Sequence, residues 1–281
     1  FNVADKTRTW LKQIFSQAIA RGLCEHNPAS ELHAIAIAPP PTQHYPHLHE
    51  HELPEFLRAL SKTTSRLPAR VASWMTILTA SRPGMVRYAK WEEIDFEEGI
   101  WTIPAARMKM RRDYVSPLPH QLIAMLTKLN QSTGRSRYLF PGNGEKQPVI
   151  SENTINLVFA KIGYKGRLVS HGTRHTASTL LREHGWLKDH VESQLAHVEG
   201  GISGEYNQAL YLPQRRIMMQ WYADYLDALK EGITANLRDQ FDTRVNQFLA
   251  RPAAPPLTAS HAHKDDHLQK LPIETDSTAT Q

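Results

Sequence analysis

The chain has 281 residues, 41% of them hydrophobic, and carries 33 Lys and Arg against 28 Asp and Glu, for a formal net charge of +5. That length gives room for one sizeable domain with appendages, and the positive balance favours polyanionic partners without proving them. No apolar run approaches the roughly 18 to 20 residues of a membrane helix, and the one cysteine, Cys24, excludes an intrachain disulfide framework or a four-cysteine zinc site and suits a reducing, cytoplasmic compartment.

In chain order, Trp10, Leu11, Ile14, Phe15, Ala18 and Ile19 fall on one helical face, and Gly22 offers a left-handed cap. A short second helix is expected after Asn27 as cap, with Pro28 in its first turn. Residues 38–46, APPPTQHYP, cannot continue a helix and read as a stiff connector, which places a domain boundary there. Leu53, Phe56, Leu57 and Leu60 then mark one amphipathic helix, and Val71, Trp74, Met75, Ile77 and Leu78 mark another. The second runs up to Ser81-Arg82-Pro83-Gly84 and leaves Arg82 at a helix junction.

From Trp91 the period changes. Ile94, Phe96, Ile100, Trp101 and Ile103 are strand-like, broken by the turn signal Glu97-Glu98-Gly99. The next turn carries residues 108–112, MKMRR, so Lys109 is displayed on a hairpin; residues 114–118 return as an edge strand, because Pro117 cannot donate to a ladder. Helical patterning resumes over residues 122–129, 155–162, 171–183 and 186–196. A last long helix starts near Pro213 and carries Ile217, Met218, Trp221, Tyr222, Tyr225 and Leu226. The expected fold is mainly α with one small antiparallel sheet (α+β). Residues 251–281 are rich in Ala, Pro, Ser, Thr, His and Asp, bury too little apolar area to offset chain entropy, and are expected to be disordered.

The most informative stretch is residues 170–181, SHGTRHTASTLL. His171 and Arg174, three apart on a helix, face the same way and can converge on one anion. His197 and Tyr206 follow downstream, and basic residues gather at 107–112 and at Arg215-Arg216. Taken singly, each has an ordinary reading: Arg82 as a bridge at a helix start, Lys109 as a solvated lysine, His171 as the residue after a Ser170 cap, His197 as a core histidine, Tyr206 as packing. A metal is a weak reading. His171 and His175 are four apart and His47, His49 and His51 add imidazoles, but no glutamate lies between the first two and no carboxylate follows at a ligand spacing.

Taken in order, Arg82, Lys109, His171-x-x-Arg174, His197 and Tyr206 resemble the pattern of the tyrosine recombinases. The wording around them is similar to prophage and genomic-island integrases over residues 53–226: Ser81-Arg82-Pro83-Gly84, Trp101-Thr102-Ile103-Pro104, the 107–112 run, Leu195-Ala196-His197 and Tyr206-Asn207. Each fragment is weak alone, but their joint order is specific. The resemblance implies a catalytic domain over 49–230, preceded by the last helices of a truncated core-binding domain (1–37) and a proline-rich linker (38–48), and followed by a helical extension (231–250).

It further implies site-specific cleavage and rejoining of double-stranded DNA attachment sites through a 3′-phosphotyrosine, integrating or excising a mobile element without cofactor or metal, in the nucleoid-associated cytoplasm of a bacterium. Arg82 and Arg174 would clamp the nonbridging oxygens, Lys109 would protonate the leaving 5′ oxygen, His171 would accept or position the tyrosine proton, and His197 would bond the scissile phosphate. Tyr206 would be the nucleophile. Tyr211 competes for that role, but the nine-residue distance from His197 to Tyr206 matches the family spacing. A homotetramer on DNA and DNA-bending accessory or excisionase proteins are implied as partners. Two departures stand out. Met85 occupies a position where many members carry a carboxylate, leaving Glu92, Glu93 or Asp95 as substitutes to orient Arg82, and Thr173 stands where an aromatic is common. The alternative function is a DNA-binding remnant without strand transfer; a type IB topoisomerase fits the integrase-like wording less well.

Overall fold

The computed structural model describes residues 2–34, 45–108, 111–196 and 211–250. The proline-rich stretch expected over 38–46 is therefore described only from Tyr45 on, and the tail expected over 251–281 lies outside the described residues.

Helix α1 (Asn2–Ala20) ends where Gly22 adopts a positive φ of 68°, with Leu23 N–H reaching back to Ala18 O at 2.9 Å. Its expected apolar face is not buried: Trp10 and Ile14 are 60% and 61% exposed. After Asn27 the chain makes turns rather than the expected second helix. The hydrogen bonds from Ser30 N–H to Asn27 O and from Ala34 N–H to Glu31 O span three residues, and Asn27 uses its side chain to bond Ala29 N–H, Lys12 O and Ser16 Oγ. Seven residues held this way do not repay a helical nucleus.

Helices α2 (Leu53–Lys62) and α3 (Leu67–Thr79) follow the predicted apolar positions, burying Leu53, Phe56, Leu57 and Leu60 in the first and Val71, Met75, Ile77 and Leu78 in the second. Ala80 takes a left-handed conformation (φ 49°) that stops α3. Pro83 opens the short α4 (Pro83–Arg87) at a position where a missing N–H costs nothing. Strands β1 (Ile94–Asp95), β2 (Ile100–Ile103) and β3 (Tyr114–Pro117) form an antiparallel sheet in that order, with Trp101 opposite Ser116 and Ile103 opposite Tyr114.

Helices α5 (His120–Thr133), α6 (Thr154–Lys161), α7 (Gly172–Glu183) and α8 (Lys188–Gln194) fall close to the segments read from period. A second hairpin, β4 (Pro141–Gly144) with β5 (Gln147–Val149), corrects the expectation of a single sheet. The run PGNGEKQPV has a loop's composition, and it pairs because Gly142 leaves room: a Cβ there would fall 2.1 Å from Gln147 O. Helix α9 (Leu212–Glu231) packs on α2 and β3, and α10 (Ala235–Leu249), capped by Thr234, follows it. Trp101, Tyr114, Tyr222, Tyr225, Phe56, Phe140 and Phe159 are wholly or almost wholly buried in the resulting core. Each of the phenylalanines contributes about 1.5 to 3 kcal/mol relative to exposure.

Candidate active site

The α3–α4 junction, the β2–β3 hairpin and the start of α7 enclose a cleft of about 1300 Å³. Arg82, Arg87, Lys90, Arg107, Arg112 and Arg137 line it together with His171, against one carboxylate, Glu152. Low-dielectric walls of one sign concentrate an anion. The cleft's volume exceeds the roughly 300 to 1,000 Å³ of an ordinary small-ligand pocket.

Arg174 lies beneath, on the buried face of α7, and is 4% exposed. Its two terminal nitrogens donate to Ala80 O and Leu195 O, each at 2.6 Å. Arg82 donates to Ala196 O at 3.2 Å. The two guanidinium groups therefore hang on adjacent carbonyls of one turn, and the side chains that meet there are separated by 92 positions in sequence. Burial, and then the neighbouring charge of Arg82, push the Arg174 guanidinium down to about 10. It remains charged at neutral pH.

None of the three carboxylates suggested as substitutes at Met85 holds Arg82 among the described hydrogen bonds. Glu93 is 7% exposed and accepts from Trp101 Nε1 at 3.1 Å, from Lys90 N–H at 3.2 Å and from Arg107. Arg107 in turn donates to Met85 O at 3.2 Å. The carboxylate thus supports the helical turn after Arg82 rather than its guanidinium. Glu92 pairs with Lys90, and Asp95 caps the Glu97 and Glu98 amides.

His171 is the residue preceding α7 and faces the cleft, with the Tyr45 ring 4.5 Å from its own. Ser170 does not cap this helix with its side chain; its carbonyl accepts from Thr173 Oγ1 at 2.8 Å, which is how the departure at Thr173 is used. Residues 45–48 run against α7. Leu48 N–H and C=O both bond Thr176 Oγ1, at 3.0 and 2.9 Å, and Pro46 O comes so near Gly172 that a Cβ there would stand 1.9 Å from it. His47 lies 5.5 Å from His175 ring to ring, yet no group of three or more His, Cys, Asp or Glu among the described residues is placed to hold a metal ion.

Lys109, His197 and Tyr206 lie outside the described residues. Near Lys109 and His197, the described residues Met108 and Arg112 line the cleft, Arg111 N–H bonds Met108 O at 3.0 Å, and Ala196 also lines it. Tyr211 precedes α9, its ring 5.0 Å from that of His190, and is not part of the lining. The two basic residues that adjoin at Arg215-Arg216 part company: Arg215 is fully buried, while Arg216 bonds Glu98. Lys90, Arg87 and Arg137 were not singled out in the sequence, because isolated basic residues carry no local signal of where they converge.

A family model described as the phage integrase family matches residues 46–212. The integrase of Shigella phage Sf6 is 39% identical over 226 residues, covering 80% of this chain and 58% of that protein. The chain thus spans a little over half the length of such relatives. Among solved structures, an integrase from mycobacterium phage Brujita aligns at a TM-score of 0.53 and 16% identity over 83% of this chain and 75% of that one. A lambda integrase in a tetramer bound to a Holliday junction aligns at 0.51 and 18% over 69% and 58%. At those identities the structural likeness speaks for the fold.

Proposed function

The chain belongs to the phage integrase family, and from that premise and the geometry of the cleft we propose that it carries the chemistry of a site-specific DNA recombinase. Its substrate is a pair of double-stranded DNA attachment sites, and its outcome is integration or excision of a mobile element. The observation that carries this reading is the Arg82–Arg174 pair: Arg82 lines the basic cleft together with His171, and the buried Arg174, charged at neutral pH, is held by the carbonyl next to the one that holds Arg82.

In the proposed reaction the Tyr206 hydroxyl oxygen attacks the scissile phosphorus as its proton passes to His171. The P–O5′ bond breaks, a P–O bond to Tyr206 forms, and Lys109 gives a proton to the departing 5′ oxygen. Arg82 and Arg174 stabilise the charge that grows on the nonbridging oxygens, in a site where their placement costs no reorganisation. His197 adds a hydrogen bond to the same phosphate. A 5′ hydroxyl from the second DNA then attacks the phosphotyrosine and regenerates the phenol. The intermediate keeps the phosphodiester's energy, so no nucleotide cofactor is consumed. Residues 49–230 are the catalytic domain in this reading, residues 1–37 belong to a core-binding domain, and four copies assemble on DNA, a reading supported by the solved lambda integrase tetramer bound to a Holliday junction. Accessory proteins that bend DNA would set direction.

A duplex nicked near the cleavage point tests this reading, because loss of the short 5′ fragment traps the covalent product. The expected result is a protein–DNA adduct that forms in EDTA, disappears in Tyr206→Phe and persists in Tyr211→Phe. Absence of any adduct at normal DNA affinity would instead identify a DNA-binding remnant.

A further inference from the structure

Arg215, in the first turn of α9, is 0% exposed. Its Nε donates to Gln194 Oε1 at 3.0 Å, a terminal nitrogen donates to Val115 O, and the guanidinium lies 5.4 Å from the centre of the Tyr114 ring. Burial pushes its pKa down, so the fold holds a cation in a place where it is costly. An apolar residue of similar volume would avoid that penalty but would take this donor away from Gln194 Oε1 and Val115 O.

What the guanidinium does is visible in Gln194, itself 1% exposed. Because Arg215 takes the amide oxygen, the amide nitrogen is turned the other way, where it donates to Thr79 O at 2.8 Å and Ser116 Oγ at 3.1 Å. The Gln194 backbone carbonyl accepts from Tyr114 OH. Thr79 and Gln194 directly precede Ala80 and Leu195, whose carbonyls hold Arg174, and Ala196, whose carbonyl holds Arg82, comes next. Ala80 and Ala196 both sit at φ 49°, a left-handed conformation that L side chains rarely adopt and that persists only where surroundings impose it. The Gln194 amide links these two turns, and Arg215 fixes which way the amide faces.

We propose that Arg215, acting through Gln194, is a positioning residue that sets the two left-handed turns carrying the Arg82 and Arg174 guanidinium groups, and so sets the geometry of the anion clamp. The proposal rests on the functional reading above. It explains why an arginine is required: only a planar fork can hold Gln194 Oε1 and Val115 O together, and a lysine of equal charge cannot.

Single-turnover adduct formation on the nicked duplex, at saturating DNA, tests it with the 281-residue chain, together with DNA Kd and the thermal midpoint. Arg215→Lys keeps the charge and loses the fork. Gln194→Glu keeps an acceptor for Arg215 but loses the donor to Thr79, and it decides the matter if Arg215→Lys does not fold. The adduct rate in each is expected to fall about 100-fold, as for a reacting group displaced by an ångström, while DNA Kd stays at the parental value. A parental rate in either folded variant overturns the proposal, as does a loss of rate matched by an equal loss of folded protein. A parent chain that forms no adduct overturns the functional reading and this proposal with it, whereas a reactive parent with undiminished variants overturns this proposal alone.

Discussion

Arg174 shows how one residue sets the chemistry of the cleft. Its guanidinium is charged in both folded and unfolded chains below pH about 10, but the unfolded chain holds the proton more tightly. Between that value and the ordinary arginine range, stability therefore rises with pH; at neutral pH, keeping the buried charge beside Arg82 is a cost. An anion bound between the two arginines relieves that cost and binds only the folded state, so it must raise the thermal midpoint by mass action. Sulfate or phosphate is expected to do so in a calorimetric scan, chloride at equal ionic strength is not, and Arg82→Ala is expected to abolish the difference. A rise of the same size with chloride would mean that the arginines form no discrete anion site.

At the scale of elements, two contacts hold the ends of the domain in place. Pro46 O lies against Gly172 at the start of α7, so Gly172→Ala places a methyl carbon where a backbone oxygen already stands. Gly172 has no positive φ to protect, and the penalty is purely steric. That substitution is expected to cost about 2 kcal/mol or more, as other overpacked sites do, in a urea titration, and to slow cleavage through displacement of His171. The second contact joins the turn at Glu50–Glu52 to α9 and α10. Burial raises the Glu50 carboxyl pKa, but hydrogen bonds from Tyr225 OH, at 2.7 Å, and Arg238 outweigh it and hold the carboxyl below its ordinary value. A depressed carboxylate contributes stability that is present above its unfolded pKa and lost as pH falls through the folded one. Unfolding followed by tryptophan fluorescence should show Glu50→Gln less stable than the parent at pH 7, with the gap closing below about pH 4.3, the ordinary glutamate value. A gap that persists unchanged at pH 3.5 would contradict the assignment.

For the whole molecule, the decisive property is that basic side chains from α4, the β2–β3 hairpin and the segment before β4 converge on one cleft. No helix among the described residues is long and apolar enough to cross a membrane. Cations that neutralise DNA phosphates release counterions, so affinity falls with salt. Arg137→Ala and Arg87→Ala are each expected to weaken binding about equally across DNA sequences and to reduce the log–log salt slope by about 1. An unchanged slope in filter-binding titrations would remove that residue from the interface. Uniform weakening is the expected signature of contacts that position DNA rather than read its bases.

Much of this was legible in the sequence because it is local. A helix announces its buried face through spacing, so α2, α3 and α9 were placed from Leu57, Met75 and Trp221, and a proline after Arg82 was enough to put that residue at a junction. His171 and Arg174 share a helix, and their relation follows from its pitch. What was not legible depends on partners far away in the chain. Period alone makes Trp10 and Ile14 look like core residues, yet they are exposed, and nothing local separates Arg215 from Arg216, yet only Arg215 is buried. Glu93 was one of three candidates to orient Arg82, and the fold gives it to Arg107 instead. The amino-acid order by itself determined most of the longer elements, the mainly helical architecture and the family pattern, since these rest on local geometry and on residue spacing, but not the turns after Asn27 or the β4–β5 hairpin. Only the tertiary structure decided which carbonyls hold the two arginines and which charges are buried, because burial and hydrogen-bond direction are properties of the assembled neighbourhood and not of any one segment.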